Sequence, residues 1–212
     1  MKIDIDKVTR NFLFGDLLLF GGWGLLSPLM PVFVVEHITG ASIVTAGMLS
    51  AIYWTVRSLT QVPVALMIDK KKGEKDDFYV LITGILMVSA SAFWLNFITN
   101  VNQLFVYQAF YALGMSFYAA AWSGIFSHHI NKERSALYWS LDNTTIGIAT
   151  AISAAIGGVL VQTYGFHIVF NFIGIFSLAS AAVITMTADI IHIHRTKEGQ
   201  ALADHSPKTI TQ

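Results

Sequence analysis

Residues 69–75 read Asp69-Lys70-Lys71-Lys72-Gly73-Glu74-Lys75. This basic stretch separates two apolar runs, 42–68 and 78–98, each long enough to cross a hydrocarbon core about 30 Å thick, which takes about 20 helical residues. The connections on either side differ in kind. Glu36-His37-Ile38-Thr39-Gly40-Ala41 precedes the first run and Thr99-Asn100-Val101-Asn102-Gln103 follows the second, and neither holds a lysine or arginine. The alternation continues outward through six apolar runs, at 11–35, 42–68, 78–98, 104–127, 135–161 and 166–188. Twelve of the thirteen Lys and Arg residues fall before the first run, between runs two and three, between four and five, or after the sixth. Basic and neutral connections in strict alternation are what the positive-inside rule produces when a chain crosses a membrane repeatedly. The thirteenth, Arg57, lies inside run two, where a charge is costly.

Composition points the same way. Only 12% of the 212 residues are charged and the mean hydropathy is +0.59, against about 25% charged in a soluble domain. The chain has no cysteine, which removes disulfides, thiolate metal sites and thiol chemistry. The runs are continuous rather than alternating, so helices are expected and strands are not. The expected architecture is an all-α membrane protein with six transmembrane helices and both termini cytoplasmic. Residues 1–10 form a cytoplasmic N-terminus without a cleaved signal peptide. Residues 11–188 form the bundle, and 189–212 a polar cytoplasmic tail. Aromatic residues at the run ends, including Phe78, Tyr79, Tyr138, Trp139, Tyr164 and Phe166, fit interfacial anchors.

Several polar and aromatic side chains repeat at helical spacing. Run one carries Asp16, Phe20, Trp23 and Ser27 on one face, with Gly21, Gly22, Gly24, Pro28 and Pro31 predicting close packing and then a kink. Run two carries Tyr53, Arg57 and Gln61, with Arg57 about 16 Å deep at 1.5 Å per residue. An intramembrane arginine faces a wet cavity or pairs with a carboxylate, here Asp16 or Asp142; a purely structural ion pair and a cavity role both remain open. Run four carries Tyr107, Tyr111, Tyr118 and Trp122, with Gly114 in the gap of the stripe and Gln108 beside it. Such a stripe is core packing or the lining of a polar cavity, since tyrosine hydroxyls in lipid need partners. A lining of this kind suits sugars, aromatic cations or amphipathic organics. Run five opens with Asp142 and continues through Gly147, Ala151 and Ala155, a flat face of small residues that lets another helix approach. Asp16 and Asp142 are candidate proton or ion sites, because burial disfavours an unpaired charge. The histidines form no convincing metal set, and no phosphate-binding loop, zinc-hydrolase or serine-hydrolase motif is present. Neither cofactor, metal nor nucleic-acid partner is expected, and no enzymatic activity.

The stretch from Ala65 through Asp69 and Gly73 to Lys75 resembles the signature Gly-x-x-x-Asp-Arg-x-Gly-Arg-Lys of the major facilitator superfamily. Ala65 replaces the first glycine, and one extra residue separates Asp69 from Gly73. Lys132-Glu133-Arg134 before run five, Gly157-Gly158 near its end, and Tyr164-Gly165-Phe166 after it complete the resemblance, which covers about residues 12–188. Gln108 stands where proton-linked members often carry an arginine. Ser153-Ala154 stands where the antiporter signature has a Gly-Pro pair, so drug–proton antiport is not carried over.

The resemblance implies a secondary active or facilitative transporter in the inner, or plasma, membrane, moving a small organic solute with or without a coupling ion. Members of the family usually have twelve spans in two six-helix halves with the site between them. The resemblance therefore implies that this half works as a homodimer by alternating access. The second and fifth helices would meet their partners there, with Gly147, Ala151 and Ala155 in the interface. Asp69, Lys70 and Gly73 would form a cytoplasmic gate. The other readings are a subunit of a heterodimer, and a non-transporting receptor or assembly subunit on the same scaffold. Asp16, Phe20, Trp23, Tyr53, Arg57, Tyr107, Gln108, Tyr111, Tyr118 and Trp122 are the expected cavity residues, and Asp16 and Asp142 the coupling candidates.

Overall fold

Every predicted run but the first becomes a single α-helix, with ends set by local chemistry. A computed structural model describes residues 6–70 and 74–188. Within them lie seven α-helices: α1 Lys7–Gly24, α2 Met30–His37, α3 Ile43–Asp69, α4 Glu74–Trp94, α5 Val101–His129, α6 Ser135–Tyr164 and α7 Phe166–Thr185. Run one is thus two helices rather than one kinked helix. Pro28 cannot donate to the ladder, and Pro31 sits in the first turn of α2, where its missing N–H costs nothing. Residues 25–29 form the turn between them. Ser42 and Thr45 cap α3 reciprocally, and the Asn100 side chain accepts from the Gln103 backbone N–H at 3.0 Å to start α5. Gly165, at φ +81°, ends α6 and lets α7 begin one residue later.

Four of the described helical segments, 75–97, 101–129, 132–164 and 166–185, are long and apolar enough to cross a membrane. Outside this set fall α1, α2 and α3. They hold the polar residues that drew attention in the sequence: Asp16 in α1, and Arg57 and Gln61 in α3.

The helices pack as an open arc. α3 lies on α5, α5 on α4, α4 on α7, α7 on α1, and α1 on α6. α1 meets α5 only lightly, which leaves a cleft between them. The arc is symmetric under exchange of α1, α3 and α4 with α5, α6 and α7: α1 on α6 matches α5 on α3, and α1 on α7 matches α5 on α4. Close approach is bought by glycine at two crossings. A Cβ on Gly84 would strike the α5 backbone at Gly114 and Tyr118, and a Cβ on Gly157 would strike the Leu25 carbonyl.

Two apolar clusters fill the arc. One lies toward the end that carries Lys70 and Lys132, here termed the basic end, and is built on Phe12, Leu81, Ile85, Ile125 and Phe126. The other lies toward the opposite, neutral end and is built on Leu26, Phe33, Leu95, Leu104 and Phe170. At the neutral end, the Thr39 backbone N–H donates to the Thr99 carbonyl at 3.0 Å and ties two connections together. Of the expected interfacial anchors, Phe78 and Tyr138 are buried in the basic-end cluster and Phe166 in the neutral-end cluster, whereas Tyr79, Trp139 and Tyr164 are exposed. The predicted tail at 189–212 and Gly73 lie outside the described residues.

Candidate functional site

The α1/α5 cleft holds a cavity of about 380 Å³ in the neutral half of the bundle. α1 contributes Phe20, Trp23 and Gly24, the turn and α2 contribute Ser27, Met30 and Pro31, α3 contributes Ser50, Tyr53 and Trp54, and α5 contributes Tyr107, Gln108 and Tyr111. α6 reaches it through Thr150. Six of the expected cavity residues therefore line one space: Phe20, Trp23, Tyr53, Tyr107, Gln108 and Tyr111.

Tyr111 organises the wall. Its ring lies 4.3 Å from the Trp23 ring, stacks on Tyr53 at 5.6 Å, and is nearly parallel to Tyr107 at 6.3 Å. Spacings in this range are those of attractive ring pairs. Three helices thus contribute to one aromatic cradle. The Trp23 indole N–H is buried and has no protein acceptor.

Arg57 sits one turn below Tyr53 on α3. Its Nη1 donates to the Tyr53 hydroxyl at 2.6 Å and its Nε to Gln61 Oε1 at 3.1 Å. The guanidinium also lies over the Tyr53 and Trp54 rings, at 5.7 and 5.5 Å from their centroids. Neither Asp16 nor Asp142 is its partner; both are committed elsewhere. The expected alternative of a buried Arg–Asp pair is thus not adopted, because neighbours one turn away on α3 itself satisfy the arginine. Trp54, which sequence reasoning passed over, could have been found from its position three residues before Arg57.

The second polar group lies one layer closer to the basic end. Asp16 of α1 is buried, and Tyr118 of α5 donates its hydroxyl to Asp16 Oδ1 at 2.5 Å. Asp142 of α6 is buried as well, near Asp16. Asp16 Oδ2, Asp142 Oδ1 and Trp122 Nε1 otherwise find no well-formed hydrogen bond in the protein. Asp16, Tyr118 and Trp122, expected in the cavity wall, instead form this acidic layer. Phe20 divides the two: it lines the cavity and packs edge-on against Tyr118 at 5.9 Å. The stripes shared between layers arise because each helix passes both levels with one face turned to the cleft. Gly114, read as part of the α5 stripe, faces Met87 and Val88 of α4 instead. A further link that sequence reasoning missed is Thr60 of α3 donating to Ser116 of α5 at 2.7 Å.

Asp69 and Lys70 are exposed at the basic end of α3. Gly147, Ala151 and Ala155 are exposed on α6, and a Cβ on Gly147 would meet nothing within 4 Å. α6 in fact has two small-residue faces. The other, with Ala149, Thr150 and Ser153, packs on Gly21 and Gly24 of α1.

Residues 12–208 match the sequence profile of the Major Facilitator Superfamily. Over 177 residues, 84% of its length, the chain is 23% identical to an uncharacterised MFS-type transporter of Methanocaldococcus jannaschii, of which it covers 44%. Over 183 residues, 82% of its length, it is 24% identical to the proton-coupled antiporter flippase LtaA of Staphylococcus saprophyticus, of which it covers 45%. A relative of the same name in Staphylococcus haemolyticus is 24% identical over 161 residues. The chain thus spans a little under half the length of the curated relatives it matches.

Proposed function

The chain belongs to the major facilitator superfamily, and from that premise we propose that it is half of a secondary transporter for a small organic solute. Six spans cross the bilayer, α1 and α2 together forming the first. Both termini lie in the cytoplasm, as the basic connections require. The observation that carries the reading is the aromatic cavity of about 380 Å³ in the neutral half of the cleft, walled by helices from both repeats. Internal repeats with a site at their junction are the architecture of alternating access. The solute binds among Trp23, Tyr53 and Tyr111, with Tyr107 and Gln108 above them.

The acidic layer supplies the coupling. Asp16 and Asp142, both buried in the bundle, are the sites we assign to the coupling ion. The relatives named as proton-coupled antiporters support a proton over other ions. Asp69, Lys70 and Gly73 act at the cytoplasmic gate.

A second six-helix unit completes the path, and we take it to be a second copy of the chain. The exposed apolar residues of α3 and α6, among them Leu59, Val62, Ile148 and Ile152, and the flat Gly147/Ala151/Ala155 face support this. Both helices stand at the ends of the arc, on the open side of the cleft. The test uses the absence of cysteine in the chain. Ala151→Cys should crosslink to itself in native membranes, and proteoliposomes of the wild type should release or take up solute along an imposed proton gradient. Crosslinking only to a different chain would replace the homodimer by a heterodimer. Solute movement that is absent in liposomes, with the binding cavity intact, would favour the receptor reading.

A further inference from the structure

No charged side chain lines the cavity among the described residues, and Arg57 stands just outside it, against the lining residues Tyr53 and Trp54. Arg57 has five N–H donors, and the acceptors that meet it are two neutral groups, the Tyr53 hydroxyl and the Gln61 amide oxygen. Three donors therefore remain, and so does the full positive charge. The cation–π contacts to Tyr53 and Trp54 soften that charge without neutralising it. Trp23 adds a buried N–H with no protein acceptor, in the wall of the same cavity. No Asp or Glu lines the cavity among the described residues. Asp16 lies one layer away, bonded to Tyr118, against which Phe20 packs from the cavity side. A partly buried guanidinium with unmet donors is costly within a membrane bundle, and a ligand that brings the opposite charge removes the cost.

We infer that the cavity takes an amphipathic organic anion, its ring or apolar body held in the cradle of Trp23, Tyr53 and Tyr111 and its carboxylate, phosphate or sulfonate held by Arg57. This deepens the transporter reading above and rests on it. The planar fork of arginine suits a carboxylate or phosphate better than a point charge would. The aromatic cradle alone would accept cations as readily, through the ring faces. Arg57 decides between them.

The test is a charge series on one ring system: 2-naphthoate, 2-naphthamide and 2-naphthyltrimethylammonium. Each is titrated calorimetrically into the full chain in phosphatidylcholine nanodiscs, with empty nanodiscs subtracted. Naphthoate should bind roughly tenfold or more tighter than the amide, the scale of one partly buried charge pair, and the cation weakest. Arg57→Gln should erase the ranking, and Arg57→Lys should keep its order with lower affinity. The wild-type ranking decides the matter even if Arg57→Gln does not fold. Equal binding of the three probes, or tightest binding of the cation, overturns the anion and leaves the cavity as the solute site. Binding of none of them removes the cavity itself, and the transporter reading with it. Added phosphatidylglycerol that competes with naphthoate would assign the anion to a lipid headgroup; no competition would assign it to a free solute, and the anion site stands either way.

Discussion

Gly157→Ala and Gly158→Ala should behave in opposite ways, although they are neighbours in one helix. A Cβ on Gly157 would collide with the carbonyl oxygen, carbonyl carbon and Cα of Leu25. These are backbone atoms at the end of α1, so no side chain can rotate away and the two helices must separate. Overpacking of this kind costs about 1–3 kcal/mol. Alanine in place of glycine returns up to about 1 kcal/mol of helix propensity at either position. Gly158 has nothing within 4 Å of its would-be Cβ, so only the gain applies there. The two variants should therefore differ by about 1–3 kcal/mol, or roughly 2–12 °C in apparent Tm for a chain of this size. Tryptophan emission during heating in one detergent, at one scan rate, reads the difference. Melting temperatures that agree within about 1 °C would mean that α1 and α6 do not touch at Leu25, and the cleft geometry would have to be redrawn.

Tyr118→Phe removes the hydroxyl that satisfies Asp16 Oδ1 and should cost about 1–3 kcal/mol of stability. Asp16→Asn keeps an acceptor for Tyr118 and should cost less, so a more damaging Asp16→Asn in the same melting assay would refute the arrangement. Thr60→Val breaks the link to Ser116 at nearly constant volume, and should cost about 0.5–1.5 kcal/mol. Tyr111→Ala should remove the ring shared by Trp23, Tyr53 and Tyr107, and weaken any ring-bearing ligand by about tenfold or more. Unchanged affinity by calorimetry would move the solute out of the cavity. Lys70→Cys should react with an impermeant maleimide in inside-out vesicles and not in intact cells; labelling from outside would invert the threading.

The basic and neutral connections and the helix-length apolar runs determined by themselves that this chain is a helical membrane protein, and the prolines at 28 and 31 announced a kink in run one that the structure makes a full break. Each of these is a local quantity, a matter of hydropathy, length or a missing N–H. Helical spacing was also enough to place Phe20, Trp23, Tyr53, Tyr107 and Tyr111 on cleft-facing stripes. What spacing could not do was assign depth. Asp16 shares a stripe with Trp23, and Tyr118 with Tyr111, yet the tertiary structure puts the first of each pair in an acidic layer and the second in the cavity wall. The same holds for Arg57: its sequence permits an ion pair, and only the packing decides that Asp16 meets Tyr118 while the arginine meets Tyr53 and Gln61. Layers are set by where three helices cross, and a crossing depends on residues such as Leu25 and Gly157 that lie 132 positions apart in the chain. A single helix can say which way a side chain points, but not what will be standing opposite it.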